Sequence, residues 1–307
     1  LVALGIKRGD EVIIPAFTYP ATANVVEIVG AKPVLVDISL KDFCIDPQAM
    51  AGAVTSKTKV LMPVHEFGQA ADMRPVIALA RKHGLSVIED AACAFGTEYN
   101  GKKAGTLGRI GCFSFHPRKA ITTGEGGAVV TDDSVLAEKI RSLRNHGSVI
   151  NLNKIDFKYA GLNYRMTEFQ AVLGLSQLRH IEELIRRRMD LADLYDDVLS
   201  KIDGIRIPEH IKRRRMVYQT YHILLDERYD RDRVIEMLKT GGVETNLGAY
   251  AIPLIEYYKR KYRTKAEDYP NASFAMRQGL ALPLGHHIRP EDIPIIAARI
   301  KEALRGS

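Results

Sequence analysis

Short apolar runs alternate with amphipathic stretches along the first half of the chain. Residues 11–14 form an apolar run that breaks at Pro15, and 33–37, 60–64 and 86–90 follow, each closed by polar or glycine-containing turns. Runs of four or five residues of this kind predict short strands, with 86–90 read as a buried parallel strand. Between them the period changes. Ala23, Val26 and Ile28, then Val76, Ile77, Leu79 and Ala80, fall on helical spacing, and Gly84 stops a helix predicted over 73–83. Strand, turn and helix in repetition predict an α/β sheet. The stretch 111–131 reads as a strand, a loop rich in hydroxyls and glycine, and a second strand over 128–130, with both flanks expected to be buried.

Beyond residue 131 the pattern is mostly helical. Asp132 and Asp133 can cap a helix that Gly147 ends, whereas residues 150–160 predict an irregular crossing segment. Thr167 and Gln170 form a capping box. Phe169, Val172, Leu173, Ile181, Leu184 and Ile185 keep helical spacing, which predicts one long helix packed on the body and reaching Ser200. A strand near 218–225, a helix over 231–240 and a last helix follow, the last with Pro290 in its first turn and Ile293, Ile296, Ala297, Ile300 and Leu304 as its buried stripe. Two domains are expected, a large one over 1–188 and a smaller one over 189–307.

Composition narrows the class. The 307 residues are 46% hydrophobic, enough for a substantial core, and carry a formal charge of +7. Basic clusters at 186–188 and 212–215 read as solvated faces or loops, and no nucleic-acid-binding signature accompanies them, so no nucleic-acid partner is expected. A moderate positive field suits anionic small molecules. Cys44, Cys93 and Cys112 form no CxxC pair, and His286 and His287 are adjacent instead of four apart, so neither a disulfide framework nor a metal site is expected. No apolar run approaches the ~20 residues of a membrane span, and a cytoplasmic location is the default. The chain begins at Leu1, without Met, in what reads as the tail of a helix, so a preceding N-terminal piece is expected.

Lys119 lies in the loop between the two strands of 111–131. A lysine held where buried strands end can lose its proton by desolvation and become a nucleophile able to form a Schiff base with a carbonyl cofactor. Asp90, at the carboxyl end of the run 86–90, can point into the same crevice. Pyridoxal phosphate needs both groups, a lysine for its aldehyde and a carboxylate that keeps its ring nitrogen protonated. The segment 124–127, GEGG, is neither a Walker loop nor a dinucleotide fingerprint, and reads as a tight backbone path beside the cofactor.

Five blocks occur in order: PAFTYPATAN at 15–24, PVHEFGQAADM at 63–73, EDAA at 89–92, the loop from Ser114 to Gly127, and GLNYRM at 161–166. Together they resemble the sugar-nucleotide aminotransferases of the DegT/DnrJ/StrS family, over nearly the whole chain. The resemblance implies an α/β, fold type I aminotransferase-like architecture: a large domain with a mostly parallel mixed sheet flanked by helices, plus a smaller C-terminal α+β domain. It implies an amino transfer, from glutamate, to a nucleotide-linked keto-sugar with pyridoxal 5′-phosphate as cofactor. Lys119 is the implied catalytic residue. Asp90 matches the carboxylate at the ring nitrogen, Tyr19 the stacking aromatic, Ser114 a phosphate donor, and Asn163 a residue that reaches the neighbouring subunit's cofactor phosphate in a homodimer. Cys93 stands where the family usually has Gln or His directed at the phenolic oxygen, and a thiol is a poorer hydrogen-bond partner. Family members with dehydrating or deoxygenating chemistry replace the lysine with histidine, and a non-catalytic regulator on the same fold would lose Lys or Asp; both groups are present here. Pro253 stands where His often occurs in a substrate-side loop, and a Gly-Thr turn that donates to the phosphate lies upstream of Leu1 in the family.

Overall fold

The computed structural model describes residues 1–151 and 154–307. In chain order the first half comprises β1 (Glu11–Pro15), β2 (Phe17–Thr18), α1 (Ala21–Ile28), β3 (Lys32–Val36), α2 (Pro47–Gly52), β4 (Thr58–Leu61), α3 (Met73–His83), β5 (Ser86–Asp90), β6 (Glu98–Tyr99), β7 (Lys102–Lys103), β8 (Ile110–Ser114), β9 (Gly127–Val130) and α4 (Ser134–Leu143). Six strands form the main sheet in the order β3-β1-β4-β5-β8-β9. Pairing is parallel from β3 across to β8, and β9 alone runs antiparallel.

Alternation along the strands sorts side chains to two faces. Ile13, Leu61 and Val87 pack with Met73, Val76 and Ala80 of α3 on one side. Val12, Ile14, Val60, Ile88 and Ile110 pack with Ala23 and Val26 of α1, Leu136 of α4 and Tyr258 on the other. Burial on both faces is why these strands are apolar runs. The helix read over 73–83 is present with Gly84 in the left-handed conformation at its end, φ 64°.

The second half comprises β10 (Ser148–Asn151), β11 (Lys154–Phe157), α5 (Glu168–Leu178), α6 (Ile181–Leu199), β12 (Ile205–Arg206), β13 (Arg214–Arg215), β14 (Tyr221–Leu225), α7 (Arg231–Thr240), β15 (Tyr250–Ala251), α8 (Glu256–Tyr262), α9 (Pro270–Gln278), β16 (Gly279–Leu282) and α10 (Asp292–Gly306). An antiparallel sheet, β12-β14-β16, packs against α6, α7 and α10 around Tyr195, Tyr221, Ile223, Leu238, Leu280 and Ile300. All five stripe residues of α10 are buried.

Several expectations are corrected. β9 is an edge strand with Val129 48% exposed, because among the described residues nothing pairs with its outer side. The segment expected to be an irregular crossing contains the antiparallel pair β10 and β11; Leu152 and Asn153 lie outside the described residues. The long helix is two helices, parted at Arg179 and His180: Ile185 of α6 is buried as its spacing predicts, whereas no residue of α5 is buried and Phe169 is 91% exposed. Its periodic apolar positions are real but face outward. The basic clusters are not simply solvated either. Arg214 Nη1 donates to Asp42 Oδ2 at 2.6 Å and to the Ala70 carbonyl at 2.8 Å, while Arg188 Nη1 reaches the Tyr218 and Gln219 carbonyls. These arginines bridge segments distant in sequence, and burial lowers the pKa of Arg188.

Candidate active site

β5 ends in two adjacent acids whose side chains leave opposite sides of the strand. Glu89 is fully buried and fully engaged. Its Oε2 accepts from His65 Nε2 at 2.8 Å and the Gly105 N–H at 2.8 Å; its Oε1 accepts from the Leu107 and Gly108 N–H groups at 2.6 and 2.5 Å. Nδ1 of His65 accepts from the Ala71 N–H at 3.0 Å, which leaves the proton on Nε2 for Glu89. Burial alone would raise the Glu89 carboxyl, but His65 and these backbone donors overcome it and hold the pKa below the usual range. The cluster requires a sharp turn at Gly105, φ 87°, and a close crossing at Gly111, where a Cβ would lie 1.9 Å from the Gly105 carbonyl oxygen.

Asp90, on the other side, faces the crevice. Its Oδ2 accepts from Thr22 Oγ1 at 2.8 Å and its Oδ1 from the Ala92 N–H at 3.2 Å, so α1 and the turn after β5 fix its orientation. Lys119 approaches from the loop between β8 and β9. Its N–H donates to the His116 carbonyl at 2.9 Å and its Nζ to Cys93 Sγ at 3.0 Å. Helix α5 steadies that loop through side-chain amides: Gln177 exchanges hydrogen bonds with the backbone of Thr122, and Gln170 Nε2 donates to the Glu125 carbonyl at 2.8 Å.

Desolvation by itself predicts a lowered pKa for Lys119, and the reverse holds in the cofactor-free chain. Burial does push it down, but Cys93, Glu66 and Asp90 outweigh burial and raise the pKa above that of a free lysine. Burial pushes the Cys93 thiol up to about 11, with Lys119 opposing. Glu66 is a site residue that sequence reasoning does not single out. It is 4% exposed, and burial together with Asp90 pushes its carboxyl up to about 8.

The other sequence-derived candidates spread outward. Ser114 ends β8, where its Oγ accepts from the His116 N–H at 3.3 Å. Tyr19 stands between β2 and α1, 57% exposed, its ring 6.4 Å from Tyr250 and edge-on to it. Asn163 lies on the exposed surface, its Oδ1 accepting from the Arg165 N–H at 3.4 Å, with no hydrogen bond to Lys119, Asp90, Cys93 or Ser114 among the described residues. The structure thus brings Lys119, Asp90 and Cys93 together and leaves Asn163 apart within one chain. Thr22, His65 and Glu89 join Glu66 as site residues that the sequence reading misses. Of these, Glu89 had a signal, since it closes an apolar strand run beside Asp90.

An amine and an oriented carboxylate in one crevice, with an exposed aromatic at the turn between β2 and α1, are a set that fits pyridoxal phosphate. Comparison with known proteins agrees. The family model for the DegT/DnrJ/EryC1/StrS aminotransferase family matches residues 1–301. A GDP-perosamine synthase from Caulobacter vibrioides is 39% identical, with 99% of this chain and 82% of that protein aligned. A Pseudomonas aeruginosa UDP-2-acetamido-2-deoxy-3-oxo-D-glucuronate aminotransferase is 38% identical over 97% of this chain and 81% of that one. Among solved structures, a Streptococcus pneumoniae protein assigned as a sugar aminotransferase, in its PLP form, superposes with a TM-score of 0.94 at 28% identity, covering 100% of this chain and 83% of that one. With that crevice, that sheet and these relatives, the chain belongs to the DegT/DnrJ/EryC1/StrS family of pyridoxal-phosphate-dependent sugar aminotransferases.

Proposed function

We propose that this chain transfers an amino group, from glutamate, to a nucleotide-linked keto-sugar, using Lys119 as its catalytic residue. The observation that carries the reading is Lys119 Nζ in one crevice with the oriented carboxylate of Asp90. When bound, the cofactor supplies a carbonyl that exchanges amines and a ring that takes up electrons from the substrate carbon. Lys119 would hold it through Nζ, and the same amine is the group placed to carry a proton to or from the substrate carbon. Asp90, braced by Thr22 and the Ala92 N–H, keeps a proton on the ring nitrogen. Tyr19 offers its exposed face for stacking, Ser114 donates to phosphate, and Cys93 lies beside the lysine.

A homodimer completes the site in this reading. Asn163 of a second copy reaches the phosphate, supported by its exposure and by the unburied apolar residues of α5, Phe169, Val172 and Leu175. The relatives' printed names support a nucleotide-sugar acceptor. We place the two domains at 1–188 and 189–307, supported by a separate core that gathers Leu191 through Leu304, and the protein in the cytoplasm; among the described residues no helix is long and apolar enough to cross a membrane.

The test is the absorption spectrum of the protein with pyridoxal phosphate, before and after glutamate, against Lys119→Ala. The wild type should show a bound-cofactor band that glutamate removes, and the variant should show neither this band nor turnover while melting at an unchanged temperature. Turnover retained in Lys119→Ala would refute the assignment.

A further inference from the structure

The peptide unit that joins Arg118 to Lys119 is fixed at both ends. Its N–H, that of Lys119, donates to the His116 carbonyl at 2.9 Å, and its C=O, that of Arg118, accepts from Gln219 Nε2 at 2.5 Å. The first bond is local and closes the turn over 116–119. The second spans 101 residues and comes from the segment that leads into β14. A peptide unit is a rigid plane, so two opposed bonds leave it little freedom to swivel, and that plane helps to set the direction in which the Lys119 side chain leaves the backbone. Segment 217–220 is itself tightly held. Tyr218, 3% exposed, is left-handed at φ 48°, a conformation that a bulky residue keeps only where its surroundings over-determine it. The Val217 N–H donates to the Gly68 carbonyl at 3.2 Å and the Thr220 N–H to the Phe67 carbonyl at 3.4 Å, while Arg188 Nη1 reaches the Tyr218 and Gln219 carbonyls, each at 3.4 Å. A Cβ on Gly68 would lie 2.9 Å from the Gln219 backbone nitrogen, so the two backbones touch, and the Tyr218 ring stacks with Tyr221 at 6.1 Å.

We propose that Gln219 is a positioning residue that aims Lys119 into the crevice. It acts through the Arg118 carbonyl and not by touching the amine. Gln170 and Gln177 of α5 hold the loop after the lysine, at Glu125 and Thr122. Among the described residues, Gln219 is the one residue outside 114–131 that bonds the backbone between His116 and Lys119. With that backbone fixed, only the side-chain torsions of Lys119 are left to order, and the bond from Nζ to Cys93 Sγ at 3.0 Å orders them in the cofactor-free chain. The position calls for a donor of this length. A carboxylate of the same shape would set an acceptor against the Arg118 carbonyl, and a hydrocarbon would leave that carbonyl to water. Because Tyr218, Tyr221 and Ile223 belong to the core that gathers Leu191 through Leu304, the same bond anchors the catalytic loop to a core other than the ones beneath its own strands.

The inference rests on the aminotransferase reading for its purpose, but its first test does not need the cofactor. The clamped carbonyl belongs to an Arg–Lys bond that trypsin recognises, and cleavage there tracks how often the loop leaves its native place. In cofactor-free protein, Gln219→Met, of similar length but without a donor, should be cut after Arg118 at least threefold faster than wild type, followed by peptide mass, while melting at an unchanged temperature. Gln219→Glu, which sets an acceptor against the carbonyl, replaces it if that variant does not fold. Equal cleavage rates in wild type and variant would overturn the proposal. The second measurement is the circular dichroism induced in the bound-cofactor band, which reports how the site orients the group that Lys119 holds. At saturating pyridoxal phosphate this signal should fall by at least half in Gln219→Met although the absorption band remains. A glutamine with no bearing on Lys119 would leave it unchanged, so identical signals would overturn the aiming of the lysine even where cleavage differs. A wild type that forms no lysine-dependent band would refute the aminotransferase reading, and the cleavage rates would still decide whether Gln219 holds the peptide plane.

Discussion

Glu66 and Glu89 are both buried glutamates, and their surroundings drive them in opposite directions. Glu89 meets four donors on its two oxygens, and His65 leads the groups that hold its pKa down. Glu66 has a bare Oε2 and an acidic neighbour, and its pKa is pushed up to about 8. Burial works the same way on both carboxyls. What separates them is the supply of N–H groups: where backbone and histidine converge, a buried glutamate is a charged strut, and where they do not, it is a weak acid. The first kind ties β5 to the turn at 105–108, and the second is held by packing alone on its Oε2 side.

The largest break in this contrast should come from Glu89→Ala. The change orphans His65 Nε2 and three backbone donors and is expected to destabilise by about 3–5 kcal/mol, measured by denaturant unfolding. An unfolding free energy within about 1 kcal/mol of wild type would mean that water replaces the carboxylate at little cost.

Next in size is a dependence on pH. The folded-state pKa of Glu66 is raised from 4.5 to about 8, so the folded state binds its proton more tightly than the unfolded state does. Stability is therefore highest below the unfolded value and falls as pH rises from 4.5 towards about 8. Glu66→Gln should lack that decline, and its advantage over wild type should grow across the window to a few kcal/mol, at most roughly 1.4 kcal/mol for each pH unit crossed. Glu89 has the opposite sign. Its contribution is complete above the unfolded carboxyl value and disappears as pH falls through the lowered folded value, so wild type should lose stability in acid over that range. Melting curves of Glu66→Gln and wild type that run parallel from pH 5 to pH 8 would contradict the assignment of the raised group.

The smallest effect concerns the acid between these extremes. Thr22→Val removes the hydroxyl that donates to Asp90 Oδ2 at 2.8 Å and should cost about 0.5–1.5 kcal/mol. It should also weaken cofactor binding, read as a higher pyridoxal phosphate concentration at half-saturation of the band. Unchanged saturation would show that the Ala92 N–H suffices to orient the carboxylate.

Much of this arrangement is legible in the chain. The apolar runs at 11–14 and 86–90 are strands because both of their faces are covered, and the α10 stripe is buried as its spacing predicts. The same rule misplaces α5, since periodicity reports that a face is apolar and not what covers it. Phe169 and Val172 keep the spacing of a core helix while lying exposed on this chain. The reading of β9 as buried fails for a related reason, because β-branched residues mark strands at an edge as well as strands at a centre. Lys119 and Asp90 stand out because their chemistry has few other uses in such positions. Glu66 escapes notice because its distinction lies in donors it lacks, and a missing partner leaves no mark in a sequence.

Glu89 and Asp90 divide their duties by strand alternation, which makes the site more sensitive to the length of β5 than to its composition. Deleting or inserting one residue between Ser86 and Glu89 would turn the strut into the crevice and the crevice acid into the wall, a reversal no single side-chain change accomplishes. Libraries aimed at new sugar acceptors should therefore hold the count of residues through β5 and the following turn constant.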